Sequence, residues 1–407
     1  MDIKRNIKAA AHLLDIKKLR KHQVKPINSI LNNQDTIVLA RPSAGKSIIY
    51  QIPAIMNADQ RTIVIEPTLS LMYDQVRKLN DKGIPACAVD STMKRSEQSK
   101  ALKRFINGKV HILYVTPERF VAESFYEILQ MVPLYMVVVD ECHCVLDWGY
   151  SFRQDYLRIG EVADHLPNRP VLAAFTATAT QSDMQEIAAV LHMNDPAVYR
   201  NDLQCSNLTY IKKRTIDREQ KRKLLCKYLR KYHKNSSVIY CNTHKAVDAV
   251  YEHLKKKFPD EVTRSHAGFS SAKRVKNEQA FLSGDKSIMV ATTAFGMGID
   301  LGAIDLVIHF NMPLSLTDYM QQTGRAGRDG QKAHCVLLYD DEDYHINQAI
   351  LSDSGSKRAR KQLDCMKEFC DDTKHCMSQL LLAHFGQTMK KNCNHCTICQ
   401  KSRRNNT

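Results

Sequence analysis

Residues 135–143 read Tyr135-Met-Val-Val-Val-Asp140-Glu141-Cys-His143, and this stretch decides how the first half of the chain is interpreted. The β-branched run at residues 136–139 predicts a strand buried on both faces, as in parallel sheets. Asp140 and Glu141 follow at its carboxyl end, where open α/β sheets bind ligands. The pattern therefore predicts a nucleotide-hydrolysis site, with Asp140 on Mg²⁺ and Glu141 acting on the attacking water. Two solvated acids at a strand end are the alternative.

A phosphate-binding loop is predicted upstream. The strand-like residues 36–40 lead into Ala40-Arg-Pro-Ser43-Ala44-Gly45-Lys46-Ser47, after which the pattern is helical. This matches G-x-x-x-x-G-K-[ST], except that Ala40 replaces the first glycine. In a strand–loop–helix context, backbone amides and a helix N-terminus face the anion. We expect Lys46 to contact the β- and γ-phosphates of ATP and Ser47 to bind Mg²⁺.

The spacing of apolar runs predicts two tandem α/β domains, each with a doubly wound parallel sheet. Strand-like runs occur at residues 62–65, 111–115, 136–139 and 171–175, and a second series at 238–240, 288–291, 306–310 and 335–339. The second series has no Gly-Lys-Ser loop. We expect a first domain over 1–205, a second over 206–345, a small helical zinc-binding segment over 346–400 and a disordered tail over 401–407.

The second domain carries a segment rich in glycine and arginine. Residues 321–330 read Gln321-Gln-Thr-Gly-Arg325-Ala-Gly-Arg328-Asp-Gly. Arg325 and Arg328, three positions apart on a predicted short helix, would face the same way. Guanidinium forks suit a γ-phosphate whose charge grows in the transition state. A solvated surface helix is the alternative, and it fits poorly with so many glycines.

The cysteines concentrate near the end of the chain. Of 13 cysteines, six fall between residues 365 and 399. Cys393-x-x-Cys396-x-x-Cys399, with the distant Cys376, is typical of a closed tetrahedral zinc site in a reducing compartment. Competing ligands are Cys365, Cys370, His375 and His395.

Charge and hydropathy narrow the class of protein. The chain of 407 residues has 59 Lys+Arg against 43 Asp+Glu, a net charge of +16. Such basicity favours a polyanionic partner, either nucleic acid or an anionic membrane. All apolar runs are short, and no apolar segment follows the N-terminal charges. We therefore expect a protein that is neither secreted nor inserted in a membrane.

Taken together, these segments resemble the RecQ family of superfamily-two DNA helicases, over roughly residues 10–400 and in the family's order. Trp148-Gly-Tyr150-Ser-Phe152-Arg153 resembles the aromatic-rich loop that couples single-stranded DNA to ATP hydrolysis in that family. The other matching motifs are Arg20-x-x-Gln23 (adenine recognition), 40–47 (motif I), 66–75 (Ia), 140–143 (DExH box), 175–178 (III), 239–242 (IV), 294–300 (V) and 324–330 (VI).

The resemblance implies a set of functional residues. Catalysis would involve Lys46, Asp140, Glu141, Arg325 and Arg328. Nucleotide contacts would come from Arg20, Gln23, Ala40, Ser43, Ala44, Gly45, Lys46, Ser47, Gly298, Asp300 and Gln321. Nucleic acid would be held by Trp148, Tyr150, Phe152 and Arg153, with Thr68 and Arg119. The sequence departs from the family pattern at Ser43 and Ala44, where glycines are usual.

The implied activity is ATP-dependent 3′→5′ unwinding of DNA, in repair or recombination, with ATP, Mg²⁺ and Zn²⁺. We expect single-stranded and tailed duplex DNA as partners, a monomer, no membrane, and a nuclear location in a eukaryote or a cytoplasmic one otherwise. Since the sequence ends after the zinc segment, we expect a short form. The alternatives are a nucleic-acid-binding ATPase without productive unwinding and an RNA-dependent ATPase.

Overall fold

The computed structural model describes residues 3–42, 44–149, 153–296, 301–352 and 356–405. Its contacts divide the chain into two units, residues 1–202 and 203–407, and each unit is built on its own parallel sheet. No helix within the described ranges combines the length and the apolar character needed to cross a membrane.

The first unit alternates strands and helices. Its elements are α1 (Ile3–Leu13), α2 (Lys21–Leu31), β1 (Thr36–Leu39), α3 (Lys46–Met56), β2 (Arg61–Ile65), α4 (Leu69–Asn80), β3 (Ala86–Val89), α5 (Arg95–Ile106), β4 (Ile112–Val115), α6 (Pro117–Phe120), α7 (Glu123–Leu129), β5 (Leu134–Val139), α8 (Cys144–Asp147), a 3-10 helix (Gln154–Arg158), α9 (Ile159–Asp164), β6 (Val171–Thr176), α10 (Gln181–Val190) and β7 (Ala197–Arg200).

The first sheet has the strand order β3-β4-β2-β5-β6-β1-β7, with every pair parallel. All residues of β5 are buried, because helices cover both faces of such a sheet. The register pairs Ile65 with Val139 and Leu39 with Thr176. The segments after β1, β2, β5 and β6 therefore emerge side by side at one edge of the sheet.

The second unit repeats this plan and adds helices. Its elements are β8 (Leu208–Arg214), α11 (Arg218–Tyr232), β9 (Ser237–Tyr240), α12 (His244–Lys255), β10 (Val262–Ser265), α13 (Ser271–Leu282), β11 (Ile288–Ala291), β12 (Leu306–His309), α14 (Leu316–Thr323), β13 (Ala333–Tyr339), α15 (Asp341–Ser352), α16 (Lys357–Asp371), α17 (Met377–His384) and α18 (Thr397–Asn405).

The second sheet has the order β10-β11-β9-β12-β13-β8, again all parallel. Helices α16 and α17 and the cysteine-bearing segment pack on it, since Leu363, Met377 and Cys396 share one buried cluster with strand residues such as Tyr210. The cysteine-rich region is therefore part of the second unit's core.

These observations confirm the predicted fold class of two tandem doubly wound parallel-sheet domains followed by a helical, cysteine-bearing segment. Two details differ from expectation. Residues 401–405, expected to be disordered, continue helix α18. Strands β3, β7, β8 and β10 are additional to the predicted ones.

Candidate functional site

The phosphate loop folds as a strand–loop–helix turn in the first unit. Ala40, directly after β1, donates its backbone N–H to the carbonyl of Thr176 at 2.9 Å, which joins the loop to the end of β6. Gly45 has φ +77°, and α3 begins at the next residue, Lys46. A Cβ at Gly45 would lie 2.6 Å from Nε2 of Gln23. The left-handed backbone therefore favours glycine here, and a larger residue would also displace the Gln23 amide. Ser43 lies outside the described residues.

The adenine motif makes contact with the same loop. Nε2 of Gln23 donates to the carbonyl oxygen of Gly45 at 3.1 Å, while its Oε1 accepts the backbone N–H of Arg20 at 2.8 Å. Nε2 of His22 lies 3.0 Å from the carbonyl oxygen of Ala44. The start of α2 is therefore connected to the phosphate loop by side-chain hydrogen bonds.

Lys46 forms an ion pair with both carboxylates that follow β5. Its Nζ lies 3.1 Å from Oε1 of Glu141 and 3.8 Å from Oδ1 of Asp140. Burial by itself would lower the pKa of Lys46, but the charges of Glu141 and Asp140 outweigh it, so that the pKa is raised. Burial raises the pKa of Asp140, against the attraction of Lys46. The two acids and the lysine thus meet in a largely buried setting.

Glu141 occupies a strained backbone conformation. Its φ is +47°, in the left-handed region that a residue with a side chain seldom adopts. Strain of this kind persists where the surrounding structure holds it, often at functional sites. The backbone N–H of Glu141 is held by Oδ1 of Asp140 at 2.8 Å, and its side chain remains partly exposed. The carboxylate is consequently accessible to a small molecule.

A chain of contacts runs from Glu141 to the segment after β6. Nδ1 of His143 lies 3.4 Å from Oε2 of Glu141 and 3.1 Å from Oγ1 of Thr176. Oγ1 of Thr176 in turn donates to the carbonyl oxygen of Thr178 at 3.2 Å. His143 therefore connects the DExH box to motif III.

Glu66 adds a buried carboxyl group at the same edge. It follows β2, is fully buried, and neither carboxyl oxygen has a hydrogen-bond partner among the described residues. Burial, reinforced by Asp140 and Glu141, raises the pKa of Glu66 well above its usual range. Burial therefore favours the protonated form of this carboxyl group.

The aromatic segment after the DExH box is anchored through Arg153. The guanidinium forms two hydrogen bonds with Glu118, at 2.7 and 3.1 Å, and a third to the carbonyl oxygen of Pro67 at 2.7 Å. It also lies 5.6 Å from the ring centroid of the half-buried Trp148. Arg153 therefore joins this segment to Pro67 after β2 and to helix α6 after β4. Tyr150 and Phe152 lie outside the described residues.

The two remaining residues predicted to hold nucleic acid follow the same strands, Thr68 after β2 and Arg119 on the short helix α6 after β4. Thr68 immediately precedes α4 and is half-buried. The guanidinium of Arg119 lies 5.5 Å from the ring centroid of Phe125, and burial lowers the pKa of Arg119. Arg119 is thus partly occupied by a contact inside the first unit.

The arginines of the second unit do not lie on a helix, and this expectation was wrong. Helix α14 ends at Thr323, and Arg325 and Arg328 follow in turns. Arg325 is buried and donates to the carbonyl oxygen of Gly296, where φ is +86° and a Cβ would meet the guanidinium. The glycines of this segment end the helix, which is why the helical expectation failed. Gln321 is half-buried on α14, and Gly298 and Asp300 lie outside the described residues.

Four cysteine thiols converge in the second unit. The Sγ atoms of Cys376, Cys393, Cys396 and Cys399 all lie within 4.8 Å of one another. Cys399 Sγ is 3.9 Å from that of Cys393 and 3.5 Å from that of Cys396. A tetrahedral zinc with bonds of about 2.3 Å needs sulfur atoms roughly 3.8 Å apart, so this donor set fits the ion.

The competing ligands are engaged elsewhere. Nε2 of His395 lies 3.0 Å from the carbonyl oxygen of Leu208, and Nδ1 of His375 lies 2.6 Å from Oδ2 of Asp372. Cys365 and Cys370 are on α16, apart from the cluster.

Sequence reasoning did not single out three residues of this region as site residues: Glu66, Glu118 and His143. Each lies directly after a strand or within a motif, which is a usable signal. Their roles depend on partners in other loops, and those partners are known only once the strand order is known.

Comparisons with known proteins identify the family. Residues 20–187 match the DEAD/DEAH box helicase model, 220–330 the helicase conserved C-terminal domain, and 341–400 the RecQ zinc-binding model. The chain is 34% identical over 398 residues to the ATP-dependent DNA helicase RecQ of Bacillus subtilis strain 168, covering 97% of this chain and 66% of that protein. It is 34% identical to the protein of the same name from Haemophilus influenzae, covering 93% of this chain and 61% of that one.

A solved structure shares the fold. The DUF1998 helicase MrfA, crystallised bound to DNA, has a TM-score of 0.68 at 18% identity, covering 85% of this chain and 52% of that one. The chain spans about 60–66% of the length of the curated relatives it matches first. The order of the three family models and the identity along nearly the whole sequence lead to one conclusion: the chain belongs to the RecQ family of DEAD/DEAH-box helicases.

Proposed function

We propose that this protein is an ATP-dependent motor that moves 3′→5′ along single-stranded DNA and separates tailed duplexes. The main support is the ion pair between Nζ of Lys46 and the carboxylates of Glu141 and Asp140, at 3.1 and 3.8 Å. Lys46 directly follows Gly45 of the phosphate loop. A lysine and two acids arranged in this way suit binding and hydrolysis of a nucleoside triphosphate. Family membership and the net charge of +16 favour a nucleic-acid track.

Different residues of the first unit bind the phosphates and accept the proton of the attacking water. Lys46 exchanges its carboxylate partner for the β- and γ-phosphates, which leaves Glu141 free to accept a proton from the attacking water. The water oxygen bonds to the γ-phosphorus, and the bond to the β-phosphate oxygen breaks to release ADP and phosphate. A Mg²⁺ ion held by Ser47 and Asp140 would offset the phosphate charge. We assign Arg325 and Arg328 to the charge that develops on the γ-phosphate.

Coupling to the strand follows from two sets of contacts. Glu141 contacts His143, which contacts Thr176, so a change in the state of Glu141 alters motif III. Trp148 supplies an aromatic ring for a base, and Arg153 holds that segment against Glu118 and Pro67. Base stacking on an exposed ring is worth roughly 1–3 kcal/mol. We assign Thr68 and Arg119 to binding of the same DNA strand.

Zinc completes the proposal. Cys376, Cys393, Cys396 and Cys399 would hold one Zn²⁺, whose function is to fix the fold of the cysteine-bearing segment.

The test is ATP hydrolysis measured alone, with single-stranded DNA and with single-stranded RNA of the same sequence. We expect strong stimulation by DNA. Stimulation by RNA alone would support an RNA-dependent ATPase, and hydrolysis indifferent to both would leave a nucleic-acid-binding ATPase without a motor function.

A further inference from the structure

Three aromatic rings stack into a column on the second unit. Tyr228 and Tyr232 lie one turn apart on α11, with ring centroids 6.0 Å apart and planes inclined by 10°. Tyr232 also stacks on His334, the second residue of β13, at 3.8 Å and 19°. Because α11 ends just before β9 begins, the column lies at the amino ends of the strands. Of the helicase motifs of this unit, motif IV and motif V follow β9 and β11, whereas motif VI (residues 324–330) lies between α14 and the amino end of β13.

A row of lysines runs beside this column. Lys227 and Lys231 occupy the positions next to the two tyrosines on α11, one helical turn apart, and Lys234 follows the helix. All three are exposed, and no carboxylate within the described ranges forms an ion pair with any of them. Nζ of Lys231 lies 5.0 Å from the ring centroid of Tyr232. These cations therefore remain available to a partner from outside.

The lysine one turn earlier on α11, by contrast, has an ion-pair partner. Lys223 forms an ion pair with Glu219 at 2.5 Å, so its charge is compensated within the helix. Burial, followed by the charges of Lys234 and Lys231, lowers the pKa of His334. The lysines at the end of α11 are thus not compensated in this way, although Glu261 lies 3.3 Å from Nε2 of His233 and Asp305 accepts the backbone N–H of Asn235.

The tyrosine hydroxyls add neutral donors. Tyr228 and Tyr232 are half-buried, and in the part of the chain that the structure describes neither hydroxyl has a hydrogen-bond partner. His334 covers one face of the Tyr232 ring at 3.8 Å, and both tyrosine hydroxyls remain available. A ligand that accepts hydrogen bonds and carries negative charge matches this set of groups.

We propose that Lys227, Lys231, Lys234, Tyr228, Tyr232 and His334, here called the α11 patch, form a second binding surface for the phosphodiester backbone of single-stranded nucleic acid, distinct from the residues assigned to nucleic acid in the first unit. The ligand is recognised by its phosphates, because the groups that the patch exposes are ammonium cations and hydroxyl donors. The inference rests on the proposed function in one respect only, which is that the motor brings a strand to this unit.

The experiment measures binding of a long mixed-sequence single-stranded DNA as a function of salt, without nucleotide, by fluorescence anisotropy. The test variant is Lys227→Gln with Lys231→Gln and Lys234→Gln. Each phosphate contact on a single strand adds about 0.7 to the slope of log affinity against log salt, so the slope should fall by about 2. Substituting arginine at the same three positions should preserve the slope. Lys223→Gln, on the same helix but already paired, is the matched control.

The outcomes separate this inference from the proposed function. An unchanged slope in the glutamine variant, with DNA-stimulated ATP hydrolysis intact, would overturn the α11 patch and leave the motor standing. That result would also direct attention to an acidic protein as the partner of this surface. A reduced slope in a protein whose hydrolysis ignores DNA would support the patch and contradict the motor. Basal hydrolysis without DNA should be the same in all variants, because none of these residues lies in the hydrolysis site.

Discussion

At the scale of single residues, the ion pair between Lys46 and Glu141 is the main structural support for the proposed hydrolysis of ATP. Lys46 is nearly enclosed, so removing it leaves two neighbouring carboxylates without compensation, while Glu141 is partly exposed at a strained position. Replacing Lys46 should therefore impair the binding of ATP, whereas replacing Glu141 should impair its hydrolysis.

We expect Lys46→Ala to abolish ATP hydrolysis, because it removes the phosphate-binding cation. Glu141→Gln should still bind ATP but hydrolyse it at least ~100-fold more slowly, since the proton acceptor is lost. Binding of a fluorescent ATP analogue and steady-state hydrolysis measure the two effects. A Glu141→Gln protein with wild-type turnover would contradict the assigned role.

Glu66 gives a prediction about pH. Its pKa is raised in the folded state from an ordinary value of 4.5 by burial and by Asp140 and Glu141. In the unfolded chain Glu66 ionises near its ordinary value, so the unfolded state loses a proton first as the pH rises. The stability of the folded protein therefore falls from about that pH up to the folded-state pKa.

Glu66→Gln keeps the shape of the side chain and is neutral at every pH, so it should remove this loss. We expect the melting temperature of the variant to exceed that of the wild type by more at pH 8 than at pH 5. A difference that is the same at both pH values would show that Glu66 does not stay protonated on folding.

At the scale of elements, the cysteine-bearing segment covers an edge strand. Strand β8 ends the second sheet, and its outer backbone groups would otherwise be open to pairing with another chain. Nε2 of His395 lies 3.0 Å from the carbonyl oxygen of Leu208, and Oγ1 of Thr397 accepts the N–H of Lys212 at 3.0 Å. Both side chains belong to the stretch between Cys393 and Cys399, so the metal cluster and the edge contacts are held together.

Loss of the metal should therefore expose β8 as well as unfold the segment. We expect one Zn²⁺ per chain in the wild type and none in Cys396→Ser, with a lower melting temperature and concentration-dependent aggregation. Elemental analysis and light scattering measure these effects. Cys365→Ser, a change outside the cluster on α16, is the control and should keep its zinc. Full zinc content in Cys396→Ser would refute the ligand assignment.

At the scale of the whole molecule, the excess of positive charge favours binding to a polyanion such as nucleic acid. With a net charge of +16, binding to a nucleic acid should release many counterions. Backbone contacts of this kind carry no sequence information, and a motor needs none, because it must move along any strand.

We expect unwinding of short duplexes that carry a 3′ single-stranded tail, and little unwinding of 5′-tailed or blunt duplexes. The activity should fall steeply between low and physiological salt, because it depends on phosphate contacts. Side-by-side unwinding assays on the three substrates at two salt concentrations test this. A preference for the 5′ tail would contradict the direction proposed from the family, and equal activity on blunt DNA would point to a duplex-binding element.

The sequence alone determined the class of fold and the position of the strand–loop–helix turn at residues 40–47. Long β-branched runs such as β5 predict buried parallel strands, and Gly45-Lys46-Ser47 after a strand predicts a phosphate loop, because both signals are local. Strands β3, β7, β8 and β10 gave no such signal, since they are short, polar or lie at a sheet edge. Lys212, Lys213 and Arg214, for example, make up the last part of β8.

Only the tertiary structure decided which side chains meet. Arg153 pairs with Glu118, and His143 contacts Thr176, because β4, β2, β5 and β6 are neighbours in the sheet although they are distant in sequence. The turn that holds Arg325 against Gly296 and the edge contacts of β8 have the same origin. Residue patterns report the periodicity of one element, whereas a site at a sheet edge depends on the strand order, which long-range packing decides.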